Sequence, residues 1–359
     1  MIKLFCFLLF WLAQSASSAP YVFFAGPHEY PAGDYGIIDS SDVVVSTGNI
    51  LKELTEFGQS HPEAYFPESL GEIGDFLLDR THDRIILFYG KPDEEYYGMA
   101  ILRLSDRSYL KNLLLYTPWG HKEAYVNSAG KIYFNEYNPE TNRDETHIYE
   151  ASTYRPLHEA AKLSVNLLKA CFFSKERLYA NDFVKDENII NKDNFKIIKN
   201  MFVDGWMDGP CAGDKLIRGS ENVTPYVLQV WDLDKSTMTH VIRPEVPFRT
   251  LLYQWVLSPT GDYLVYGDGI ASMGYRAAAL LEDPRIRVFD TNTGKETASA
   301  EIDKLISAPA GAKIFFMDFS VDGKSLVFYC APALYVLDVK TLALQHKVVL
   351  PEAPEQVVW

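Results

Sequence analysis

The feature that most constrains the fold is a phrase that returns in the C-terminal half of the chain. Trp255–Tyr266 reads as strand, polar turn, strand, with Ser258-Pro259-Thr260-Gly261 as the turn. Phe316–Tyr329 repeats it around Ser320-Val321-Asp322-Gly323. A glycine-containing polar turn between two apolar runs is the local signature of a β-hairpin. A second phrase follows each one. Arg287-Val288-Phe289-Asp290 is matched by Tyr335-Val336-Leu337-Asp338, with an earlier copy at Gln229-Val230-Trp231-Asp232. In all three an apolar strand ends in Asp, whose carboxylate can bond the backbone amides of the turn that follows.

Weaker copies extend towards the N-terminus. Val43–Asn49 carries a Thr47-Gly48 pair read as the turn seen at Thr293-Gly294, and Ile101–Asp106 and His147–Ser152 read as third strands. Taking Val44, Leu104, Glu150, Ile190, Asp232, Asp290 and Asp338 as equivalent anchors gives six intervals averaging 49 residues. A period of roughly 40–50 residues with four short strands per unit is that of a propeller blade. One such sheet cannot bury both faces alone, whereas stacking in a circle covers both. The expected fold is therefore all-β, a β-propeller of about seven four-stranded blades. The strand-like runs at Tyr21–Phe24 and Glu355–Trp359 suggest that one terminus completes a blade begun at the other.

The phrases Ser258-Pro259-Thr260-Gly261, Val230-Trp231-Asp232 and Val288–Gly294 resemble those of WD40-like and YVTN-type β-propellers. Exported members of that superfamily include the ring subunits of quinoprotein amine dehydrogenases. The resemblance is good over residues 226–350, fainter over 36–160 and poor over 165–225. It implies a fold; the motifs specify turns and carry no catalytic side chain.

Composition agrees with a sheet protein. Hydrophobic residues make up 47% and charged residues 23%, and 22 Tyr with 21 Phe suit half-buried pleated surfaces. The net charge of −14, with no run of five Lys/Arg, argues against nucleic acid as a partner. Residues 1–19 read as a signal peptide: Lys3, then the apolar Leu4–Ala13, then the small residues around Ala16, Ser18 and Ala19. The apolar stretch is too short for the roughly 20 residues a membrane span needs. The expectation is a secreted or periplasmic single domain over 20–359, with no transmembrane segment in the mature chain. Cys171, Cys211 and Cys330 then remain in an oxidising compartment. Cys330 lies in a buried-strand pattern, which leaves Cys171 and Cys211 as the disulfide candidate.

Insertions longer than a turn needs are where sites usually lie. Three are read: a Pro-rich connection near 57–67, a Gly/Asp-rich loop at 204–222, and 268–284, whose Ala/Leu content suits a short helix. The second offers Trp206 and Asp208 as ligand-binding candidates, and Asp204, Asp208 and Asp214 as oxygen donors for Ca²⁺. His82 and His121 are candidates for the channel face. No GxSxG, HExxH, Walker or GxGxxG pattern is present. The leading expectation is a binding or scaffold module for a protein, peptide or glycan, without a required cofactor. The alternative is a lactonase-like or redox propeller enzyme with a metal or cofactor in its central channel.

Overall fold

A computed structural model describes residues 21–357, apart from 25–33, 91–95, 117–123, 157–165, 182–186, 192–196, 202–205, 221–226, 244–254, 273–277, 307–312 and a few shorter stretches between elements. Strands β1 (Tyr21–Phe24), β2 (Asp34–Ile38) and β3 (Val44–Asn49) lead into helix α1 (Ile50–Ser60). A second sheet holds β4 (Glu72–Asp79), β5 (Arg84–Gly90), β6 (Tyr96–Arg103) and β7 (Tyr109–Tyr116), in that order. The third has β8 (Ala124–Val126), β9 (Ile132–Asn138) and β10 (Arg143–Tyr149). The fourth has β11 (Asn166–Ser174), β12 (Arg177–Asn181), β13 (Glu187–Asn191) and β14 (Ile197–Asn200). The fifth has β15 (Trp206–Ala212), β16 (Lys215–Ser220), β17 (Leu228–Asp232) and β18 (Thr237–Ile242).

A larger sheet follows. It contains β19 (Trp255–Leu257), β20 (Tyr263–Ser272), β21 (Ala278–Asp290) and β22 (Lys295–Glu301), then β23 (Lys313–Phe319), β24 (Ser325–Cys330), β25 (Ala333–Asp338) and β26 (Leu344–Val349). Among the described residues its two four-stranded halves are joined by strand pairing only where Ala278 and Ala279 of β21 pair with Ile314 and Lys313 of β23. All pairing is antiparallel within and between these hairpins. The short helix α2 (Ile302–Ile306) bridges the halves, with Ile302 and Ile306 buried.

The edge strands meet in chain order: β4 against β8, β8 against β11, β11 against β15, β15 against β19, and β19 against β23. The last strand, β27 (Pro354–Val357), touches β23 and pairs with β1, placing Val357 opposite Val22 and Gln356 opposite Phe23. The C-terminal strand thus completes the first sheet in the order β27-β1-β2-β3. A side-chain contact reinforces the seam, since His346 Nδ1 lies 2.9 Å from Asp42 Oδ1 across 304 residues of sequence.

Central strands are apolar on both faces, as stacked sheets demand. Along β5, Ile85, Leu87 and Tyr89 enter one cluster with Ile50 and Leu54 of α1, while Ile86 and Phe88 enter another with Phe134. Along β24, Leu326, Phe328 and Cys330 face one core and Val327 and Tyr329 the next.

The repeated phrases are turns with a shared hydrogen-bond plan. Asp290 Oδ1 accepts from the amides of Asn292 and Thr293, and Asp338 Oδ1 accepts from those of Lys340 and Thr341. The Thr341 hydroxyl and amide hold the Asp338 carboxyl below its ordinary pKa. Four residues after the strand end, or five after β10 at Tyr154, the chain enters the left-handed region at Arg107, Tyr154, Ser236, Gly294 and Leu342, and also at Asp42. The amides of Arg107, Tyr154, Gly294 and Leu342 close each turn on Arg103, Glu150, Asp290 and Asp338. The next turn over is tied in as well: the amides of Leu104, Leu233, Thr291 and Val339 donate to Asp83, Asp214, Asp262 and Lys324 carbonyls, at 2.7–3.0 Å.

This geometry corrects several sequence expectations. The repeat anchor of the second sheet is Arg103 rather than Leu104, and that of the first is Ile38, four residues before Asp42, rather than Val44. Thr47-Gly48 is no turn; it pairs with Gly36 and Tyr35 inside β3, which ends on Asn49, the cap of α1. The 57–67 connection begins inside that amphipathic helix, whose Ile50 and Leu54 are buried. The segment 268–284 extends β20 and β21 as a hairpin, with Ile270–Ser272 paired to Ala278–Leu280, and forms no helix there among the described residues.

The seam has a direct test. Removing residues 354–359 should lower the melting temperature by several degrees, because Val357 is 5% exposed and β1 loses its outer partner. An unchanged melting curve would mean that β27 does not hold the ring.

Candidate functional site

Of the histidines singled out by sequence, His82 sits in a defined network. It lies in the turn between β4 and β5, where Asp79 accepts from its backbone amide and from Nδ1 at 2.9 Å. The same carboxylate takes Nε and Nη2 of Arg84, at 3.0 and 2.5 Å. Arg84 also reaches the carbonyls of Gly130 and Ala151, which flank β9 and β10. A carboxylate holding Nδ1 is half of a catalytic dyad, but the other half is missing among the described residues: no hydroxyl or thiol is bonded to Nε2. The ring instead packs on Gly130, where a Cβ would lie 2.9 Å from Cδ2 and 3.0 Å from Nε2. With Asp79 and Arg84 both buried, the cluster ties the second sheet to the third.

The Gly/Asp-rich segment 204–222 contains a hairpin of β15 and β16. Trp206 pairs with Ser220 and Asp208 with Arg218 along the strands, whereas Asp214 occupies the turn beyond the Ala212–Lys215 pair. Asp208 and Asp214 are thus held apart along the hairpin. Asp214 forms an ion pair with Lys215 at 3.6 Å. Asp204 and His121 lie outside the described residues. No group of three or more His, Cys, Asp or Glu able to hold a metal occurs among the described residues. Cys211 of β15 is disulfide-bonded, and Cys330 is free and buried.

A concave feature of the surface lies elsewhere, between the end of β18 and the outer half of the β21–β22 hairpin. It encloses about 630 Å³ and is lined by Ile242, Arg243, Arg287, Phe289 and Gly294–Ser299. Volumes of roughly 300–1,000 Å³ are typical of ligand clefts. Gly294 sets the wall spacing: it takes φ +68°, and a Cβ there would stand 3.2 Å from His240 Cβ. Arg287 forms the floor. It is 3% exposed, reaches Asp268 Oδ2 at 3.4 Å and Glu296 Oε2 at 2.6 Å, and lies 5.6 Å from the centre of the Phe289 ring. Its charge is thus paired within the fold, as a buried cation requires.

Arg243 and Lys295 differ. Both are exposed, and neither side chain makes a hydrogen bond or ion pair among the described residues. The groove lining therefore holds three cations and one carboxylate, Glu296, with the buried Asp268 paired to Arg287 behind it, in a chain whose net charge is −14. It was not legible from the sequence, because its lining comes from separate strands and its turn at Gly294 reads as an ordinary repeat.

Antiparallel sheets stacked face against face with their edge strands meeting in chain order, and the last strand completing the first sheet, define a β-propeller. The fold is similar to the crystal structure of Hsv2 from Kluyveromyces marxianus, at 14% identity over 78% of this chain and 82% of that one, with a TM-score of 0.51. A Kluyveromyces lactis Hsv2 with one loop replaced by a Gly-Ser linker aligns at 17% identity over 75% and 78%, with a TM-score of 0.49. No protein-family model and no curated protein matches the chain.

Arg84→Ala would strand the Asp79 carboxylate in a buried site and should cost about 3–5 kcal/mol in denaturant unfolding. Adding Asp79→Asn should recover part of that loss. If the single variant unfolds like the wild type, the cluster does not join the two sheets.

Proposed function

We propose that the chain is an exported, seven-bladed β-propeller that works as a binding or scaffold module, with the groove beside β22 as its ligand site. The seven-blade reading rests on the edge strands β27, β4, β8, β11, β15, β19 and β23, which open one blade each once the large sheet is divided between β22 and β23. The binding reading rests on one observation, a cleft that keeps Arg243 and Lys295 unpaired beside a floor whose own charges are satisfied.

Export rests on the apolar Leu4–Ala13 segment and the small residues after it. No helix among the described residues is long and apolar enough to cross a membrane. We assign Cys171 as the partner of Cys211: β11 packs beside β15, Cys171 stands opposite Tyr179, and Tyr179 packs in the cluster that Cys211 joins.

Two measurements test this reading. Mass spectrometry of protein collected from the medium or envelope should find a chain that begins at the end of the 1–19 segment, within a residue of Pro20, and, without reductant, a crosslinked Cys171–Cys211 peptide pair. An intact Met1 would refute export. Separately, Ser299→Trp should fill the groove and abolish capture of native envelope partners while leaving the melting temperature within about 2 °C of wild type, as expected for an exposed groove residue outside the core. Undiminished capture would remove the groove as the ligand site.

A further inference from the structure

The groove has a strand for a wall. β22 pairs with β21 along one edge, and among the described residues its other edge carries no strand. Its lining, Lys295–Ser299, spans about 16 Å at roughly 3.3 Å per residue. Thr297, Ala298 and Ser299 are small, so a second backbone can approach closely. An open edge of this kind is the template that extended peptides complete by strand addition.

The charges discriminate between a peptide and a small anion. The buried cation, Arg287, is already engaged by Asp268 and Glu296. What remains is Arg243 and Lys295, both exposed, and an exposed ion pair contributes no more than about fivefold in affinity. Two such contacts cannot hold a small anion tightly. They can select among peptides whose affinity comes from main-chain hydrogen bonds along β22. Resting on the reading of this groove as the ligand site, we propose that it takes an extended acidic segment of a partner protein, added as a further strand on β22 with its carboxylates against Arg243 and Lys295.

Fluorescence anisotropy tests the inference with three probes: a labelled nine-residue peptide of alternating Glu and Val, its Lys-for-Glu counterpart, and the acidic peptide N-methylated at alternate residues. The acidic peptide should bind at least tenfold more tightly than either of the others. The double variant Arg243→Gln/Lys295→Gln should weaken it five- to thirtyfold and flatten its salt dependence. Equal binding of the Lys peptide would overturn the charge assignment, and no effect of N-methylation would overturn strand addition. Displacement of the peptide by millimolar citrate would instead mark a small-anion site. If the acidic peptide fails to bind while Ser299→Trp still abolishes partner capture, the peptide class is wrong and the groove reading survives. If that variant has no effect on capture, the groove reading itself has failed.

Discussion

A β-sheet whose central strands are apolar on both faces has to find two covers, and this requirement organises the molecule. β5 divides its side chains between two cores, and β24 does the same at the other end of the chain. Each sheet is therefore the lid of one neighbour and the floor of the next. An open stack would leave its first and last faces wet. Closure removes that cost: Ile38 and Val357 of the first sheet share a cluster with Val327, Tyr329 and Val348 of the last. The polar turns, the inter-sheet Arg84 cluster and the His346–Asp42 contact fix the spacing of layers that burial has already brought together.

The legible part of the fold is the part set by local chemistry. Asp290 and Asp338 stand out because a carboxylate two or three residues before an amide is a turn device that works in any context. The fainter copies hide because the left-handed position held by Gly294 is filled in them by Arg107 and Tyr154. Those residues meet the backbone cost of about 1–2 kcal/mol that glycine avoids, so no glycine marks the turn. α1 is hidden for a related reason: Asn49, whose side chain accepts from the Lys52 amide, reads as the end of a Thr-Gly turn. The 268–284 segment carries helix-favouring Ala and Leu, yet the strands leading into it are already paired and simply run on.

The groove shows a different limit. Asp268, Arg287 and Glu296 are spread along three strands, and only the folded register brings them into one ion cluster. Their mutual satisfaction is what distinguishes Arg243 and Lys295 from them. The candidate site is thus defined by contrast: paired charges form the floor and unpaired ones stand at its margin, a relation that residue spacing alone does not reveal.

The pairing of β27 with β1 also fixes an order of events. The first sheet lacks its outer strand until the final residues are available, so the edge of β1 stays open while every other blade can already be complete. That edge cannot distinguish the β27 of its own chain from that of a second copy. High local concentration during folding therefore favours exchanged dimers in which each ring is fastened by the other's tail. Joining the two termini and reopening the chain within another turn would remove this opportunity without altering a single interface between blades.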